Sequence, residues 1–185
     1  MSEFTIPGMT DKQAAQVAEI LQKQLSRYND LHLTLKHIHW NVVGPNFIGV
    51  HEMIDPQVEL VRGYADEAAE RIATLGYAPK GTPGAIIADR SWDDYSLERD
   101  TVQAHLAALD LVYDGVVGDT RRNIEETEEL DPVTQDILID HAAELEKFQW
   151  FVRAHLENAG GQLANSGTKT EQDAATKAKK KAPVK

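Results

Sequence analysis

The chain has 185 residues, a formal net charge of −11 and no cysteine. That length supports one domain with a substantial core plus tails, and the missing cysteine excludes disulfides, thiolate metal sites and a cysteine nucleophile. Histidine and carboxylate remain as metal-binding chemistry, a set suited to iron, manganese or zinc.

Residues 1–9 read as an irregular arm broken at Pro7-Gly8. The opening MSEFTIPGMTDK lacks the basic-then-apolar order of a signal peptide, and no apolar run is long enough to span a bilayer, so a soluble, cytoplasmic chain is expected. Thr10 followed by Gln13 forms a capping box that opens a first helix. Its apolar stripe is Val17, Leu21, Tyr28, Leu31, Leu35 and Ile38, interrupted by Gln24. Gly44-Pro45 stops it near Trp40–Asn41. A second helix spans about residues 46–75, bent or loosened at Pro56 and closed by Gly76.

Residues 76–95 are too long for an ordinary helix–helix link and hold an apolar AII piece that predicts one helical turn. A third helix is expected from near Ser96, with Val102, Leu106, Leu109, Tyr113 and Val116 on one face. Asp131-Pro132 opens a fourth, which runs to about Asn158 before Gly160-Gly161. Two short links and one long crossover between the second and third helices give an all-α, ferritin-like four-helix bundle over residues 10–160, the crossover carrying a short helix.

Residues 161–185 are polar and rich in alanine and lysine, which predicts a flexible tail. Residues 160–185 hold six lysines (Lys169, Lys177, Lys179, Lys180, Lys181 and Lys185) against Glu171 and Asp173, a formal +4 that leaves −15 on residues 1–159. An acidic body attracts cations and repels nucleic acid, whereas a basic tail does the reverse.

The metal-ligating types concentrate between His37 and Glu70. His39 and His51 stand twelve positions apart, and Asp55, Asp66 and Glu70 follow. His51/Asp55 and Asp66/Glu70 are i,i+4 pairs on one side of the second helix, about a quarter turn from its core stripe of Ile54, Val58, Val61, Ala65, Ala68 and Ile72. The eleven residues from Asp55 to Asp66 span about 16 Å, whereas two metals in one site lie about 3.5–4 Å apart. One straight helix cannot close both pairs on one site, but two antiparallel copies across a two-fold axis can. No histidine has glutamate three positions before it, which argues against a di-iron site inside the bundle. His32, His37, His105, His141 and His155 have no comparable partners and read as hydrogen-bonded structural residues. Asp131, Asp136 and Asp140 either line a symmetric acidic opening or, for Asp131, simply cap the fourth helix.

The run KHIHWNVVGPNFIGVHEMID with ADEAAERIATLG resembles the signature of the Dps family of mini-ferritins, DNA-binding proteins from starved cells. The likeness continues through Trp92 and DPVTQDILIDHAAELEKFQWF, covering roughly residues 10–160. It implies a hollow homododecamer with two iron ions in each site between two-fold-related subunits. His39, His51 and Asp55 would come from one subunit and Asp66 and Glu70 from its neighbour. Lys36, Trp40 and Trp150 match residues beside the site, and Asp131, Asp136 and Asp140 match the acidic opening for iron. The implied activity is ferroxidase: Fe(II) is oxidised, preferably by hydrogen peroxide, and stored as ferric oxide. The lysine-rich tail adds an expectation of non-specific DNA binding and a nucleoid-associated place in the cytoplasm. The alternatives are a DNA-compacting nucleoid protein with secondary metal chemistry and a structural helical assembly with a degenerate site.

Overall fold

The computed structural model describes residues 6–181. Helix α1 (Asp11–Asn41) opens at the expected capping box: the Gln13 amide donates to Thr10 Oγ1 at 3.3 Å, and the Thr10 amide to Gln13 Oε1 at 3.1 Å. Gly44 and Asn46 at positive φ turn the chain into α2 (Phe47–Thr74), which continues through Pro56. Its end is a Schellman arrangement: Gly76 has φ 85°, Tyr77 N–H bonds the Ile72 carbonyl and Gly76 N–H bonds that of Ala73. The crossover carries α3 (Pro83–Asp89), the turn expected from the AII piece.

Helix α4 (Val102–Thr127) begins later than Ser96. Asp100–Thr101 forms β2, a two-residue parallel strand paired with β1 (Val42–Val43), and Thr101 is the helix cap, accepting from the Ala104 amide. That pairing joins residues 58 positions apart and keeps Ser96–Asp100 out of the helix. Helix α5 (Pro132–Leu156) follows the Asp131-Pro132 signal. α1 packs along α2 and α4 along α5.

The core is the apolar stripes meeting: Leu21, Leu35, Ile54, Val61, Leu106, Leu138 and Leu145 are buried. Polar ties cross it between helix pairs. Gln24 donates to Thr120 Oγ1 at 2.8 Å, Tyr113 to Gln57 Oε1 at 2.6 Å, and Tyr28 lies 3.0 Å from His141 Nδ1, whose other nitrogen is 2.9 Å from Glu67. A buried polar group needs such a partner, which explains Gln24 inside an apolar stripe.

The expected flexible tail is the largest correction. Residues 171–181 form a helix, α6 (Glu171–Lys181), seated on α4. Ala174, Ala175 and Ala178 are at most 1% exposed, Ala175 packing with Leu97, Ala104 and Ala108. The preceding segment is pinned by the buried Asn165, which donates to the Ala107 carbonyl and to Asp110 Oδ2 at 2.8 Å. Composition misled because alanine contributes little to an apolar pattern, yet three methyl groups on one face suffice to seat a helix tied at both ends.

Candidate metal centre

The Gly44–Asn46 turn folds the start of α2 back onto the end of α1, bringing His39 and His51 face to face. Their rings stack with centroids 3.6 Å apart at 24°. His39 Nδ1 lies 3.0 Å from the His51 carbonyl oxygen, and His51 Nδ1 lies 2.9 Å from that of His39. A carbonyl oxygen only accepts, so each Nδ1 carries a hydrogen, and in the neutral ring Nε2 is then the atom with the lone pair a metal would take. This reciprocal lock also fastens α1 to α2.

Asp55 sits one turn beyond His51. Its Oδ1 is 3.2 Å from His39 Nδ1 and 3.0 Å from Lys36 Nζ. The Lys36 hydrogen bond and the positive charge of Lys36 hold this carboxyl below the usual carboxylate range. Lys36 also lies 5.8 Å from the Trp40 ring centroid. The chain therefore gathers His39, His51, Asp55, Lys36 and Trp40 in one place. Asp66 and Glu70 are exposed farther along α2. Among the described residues of one chain, no three histidine, cysteine, aspartate or glutamate side chains converge on a single metal position. Trp150 lies on α5 beside Phe151, 62% exposed, outside the group around the histidines.

An uncovered apolar surface borders the histidines. Phe47 meets the His51 ring edge-on at 6.0 Å, and Ile48, Leu33 and Trp40 are more than half exposed. Sequence reasoning missed Phe47 and Ile48. Their signal was present: two large apolar residues in the first turn of α2, next to the paired histidines and off its core stripe.

Asp131 does not stand as an open carboxylate. It is 7% exposed, and its Oδ2 accepts from Arg71 at 2.6 Å and Thr134 Oγ1 at 2.5 Å. Burial pushes its carboxyl up, but the Arg71 and Thr134 bonds outweigh that and hold it below the usual range. Its side chain makes no cap bond either, whereas Asp136 and Asp140 are exposed on α5. Asp131→Ala would leave the largely covered Arg71 guanidinium without its charge partner, at a cost of about 3 kcal/mol, read as a lowered Tm. Because the folded carboxyl is depressed, this contribution is complete above about pH 4 and fades as pH falls through the lower folded value, so the gap between wild type and variant should close in acid.

Three of the remaining histidines are structural, as expected. His37 Nε2 bonds the Leu97 carbonyl at 2.7 Å, His105 Nδ1 the Tyr95 hydroxyl, and His141 bridges Tyr28 and Glu67. Of the tail lysines, Lys169 and Lys180 are exposed, Lys179 pairs with Asp100 at 2.7 Å and Lys177 bonds the Ser166 carbonyl. The Lys181 side chain and Lys185 lie outside the described residues.

Residues 18–160 match the family of ferritin-like domains. The chain is 77% identical over 181 residues to a DNA protection during starvation protein of Mycolicibacterium smegmatis, covering 98% of this chain and 99% of the relative. A solved structure of Mycobacterium smegmatis Dps superposes with a TM-score of 0.90 at 79% identity, over 92% of this chain and 97% of that one. The fine tangled pili major subunit of Haemophilus ducreyi is 47% identical over 162 residues, covering 88% of this chain and 86% of that protein.

Proposed function

The chain belongs to the Dps branch of the ferritin-like proteins, and on that premise we propose that it is a ferroxidase and iron store that protects DNA from oxidative damage. The observation that carries this reading is the His39–His51 lock, which turns both Nε2 atoms toward a metal position beside Asp55 with no closing ligand among the described residues of the same chain. In a two-fold pair, Asp66 and Glu70 of the partner subunit complete a site for two ferrous ions as substrate. Imidazole and carboxylate leave open positions for the oxidant. The exposed Phe47, Ile48 and Trp40 supply apolar area for the same contact, and six such pairs make the dodecamer.

Two ferrous ions each give one electron to hydrogen peroxide, whose O–O bond breaks: 2 Fe²⁺ + H₂O₂ + 2 H₂O → 2 FeOOH + 4 H⁺. Delivering two electrons to one peroxide at one site releases no hydroxyl radical, and the exposed Trp40 beside Lys36 is placed to intercept strays, a role the family resemblance extends to Trp150. The test is ferrous oxidation on the oligomeric peak from size exclusion. Two irons consumed per peroxide, with no spin-trapped hydroxyl radical, is the expected result; oxidation no faster than in buffer would sink the reading.

Asp136 and Asp140 line the opening through which iron enters, concentrating cations there. Asp136→Asn with Asp140→Asn should slow uptake several-fold at low ferrous concentration and leave assembly intact. Stopped-flow rates against iron concentration check this, and unchanged rates would remove these residues from the iron path.

A second reading, favoured by the +4 tail on a −15 body, is a nucleoid-associated cytoplasmic protein that compacts DNA, with metal chemistry secondary. The two activities are compatible: an acidic shell repels the duplex, while twelve basic tails hold it through multivalent, salt-sensitive contacts. No helix among the described residues is long and apolar enough to cross a membrane.

A further inference from the structure

The seat of α6 is small and polar at both ends. At its start, Glu171 Oε2 accepts from the Ser96 amide and hydroxyl, both at 2.7 Å, and Gln172 donates to the Ser96 carbonyl at 2.7 Å. Near its end, Lys179 pairs with Asp100 at 2.7 Å, and Lys177 bonds the Ser166 carbonyl. Between them only Ala174, Ala175 and Ala178 are buried. Eleven residues are too few to hold a helix in isolation, so α6 depends on its seat. Docked, it commits two of the tail's lysines to its own chain.

We propose that α6 is a releasable polyanion-binding element, whose docking on α4 and whose full engagement of DNA phosphates exclude one another. The proposal rests on the reading that the tail binds DNA and adds how that binding is regulated. A duplex carries one negative charge per about 1.7 Å of its axis, a far denser array than the single carboxylate of Asp100. Phosphates therefore displace Asp100 from Lys179 and the Ser166 carbonyl from Lys177, while the alanine face gives up little on leaving α4. Linkage makes the effect reciprocal: whatever loosens the seat tightens DNA binding, and DNA loosens the seat.

The test uses neutral substitutions in the whole assembly, so that net charge does not change. Ala175→Gln, and Ala174→Gln with Ala175→Gln and Ala178→Gln, replace the seated methyls with a larger polar side chain that keeps good helix propensity. Docking is read from hydrogen exchange of the Ser96 amide, which Glu171 protects, and affinity from anisotropy of a labelled short duplex. The expected result is at least tenfold faster Ser96 exchange in the triple variant, a duplex Kd at least about threefold tighter, and faster Ser96 exchange in wild type when the duplex is added. Faster exchange with an unchanged or weaker Kd overturns the proposal. Unchanged exchange in the triple variant also overturns it, because the alanine face would then not hold the helix. A chain ending at residue 168 is the separate arm: if it binds the duplex as tightly as the full chain, the DNA reading of the tail fails, whatever the Ser96 amide reports.

Discussion

His51→Ala and Glu70→Ala should each lose rapid ferrous oxidation, and a mixture of the two, unfolded together and reassembled, should regain about a quarter of the wild-type rate. The loss in each single variant should reach about 100-fold or more, since even residues that only orient metal ligands cost 10–100-fold when changed. Recovery follows from dividing one site between chains. In a mixed two-fold pair, one site carries both defects and the other carries neither, so it is chemically wild type. Random pairing makes about half the pairs mixed, and half the sites in those are intact. If one chain supplied every ligand, all sites in the mixture would stay defective. Each variant taken alone through the same refolding is the control and should return nothing. Native mass spectrometry establishes co-assembly, and no recovery in a co-assembled sample would mean the ligands are not shared in this way.

Removing residues 169–185 should abolish retardation of plasmid DNA in a gel while leaving ferrous oxidation unchanged. The cut leaves Asn165 and its bonds to Ala107 and Asp110 in place, so the end of the bundle stays pinned. It removes six lysines and two acids, and with them the basic part of an otherwise acidic chain. Binding by the full chain should also fall steeply with salt: engagement of about six phosphates costs about 10³-fold in affinity between roughly 50 and 200 mM salt, as counterions lose their gain from release. Undiminished retardation by the truncated protein would place DNA contacts on the acidic body and overturn the tail assignment.

The parts legible in the sequence were those written in local chemistry. The Thr10–Gln13 box, the Gly44-Pro45 break, Gly76 and Asp131-Pro132 each mark a helix end within a few residues, and the observed ends fall close by. Helix arithmetic alone separated His51/Asp55 from Asp66/Glu70. What escaped was decided at long range. The start of α4 depends on a strand pair 58 positions apart, and the neutralisation of Asp131 depends on Arg71, 60 positions away. The histidine tautomers depend on two carbonyls that only the folded turn brings within reach. Helix α6 escaped because its seat belongs to α4 and Ser96, not to itself.

The polar ties through the core restrict how this sequence can drift. A bundle held only by leucine and valine tolerates one-for-one exchange and small slides of one helix along another. Here Tyr113 needs Gln57, Gln24 needs Thr120, and His141 needs both Tyr28 and Glu67. Each tie joins a different pair of helices, so a change at one end strands a buried polar group on the other. Relatives that lack one member should therefore lack its mate as well, and the paired losses would record the order in which the helices were free to shift. The exposed Asp136, Asp140, Lys169 and Lys180, which have no such partners in the core, are where divergence can run fastest.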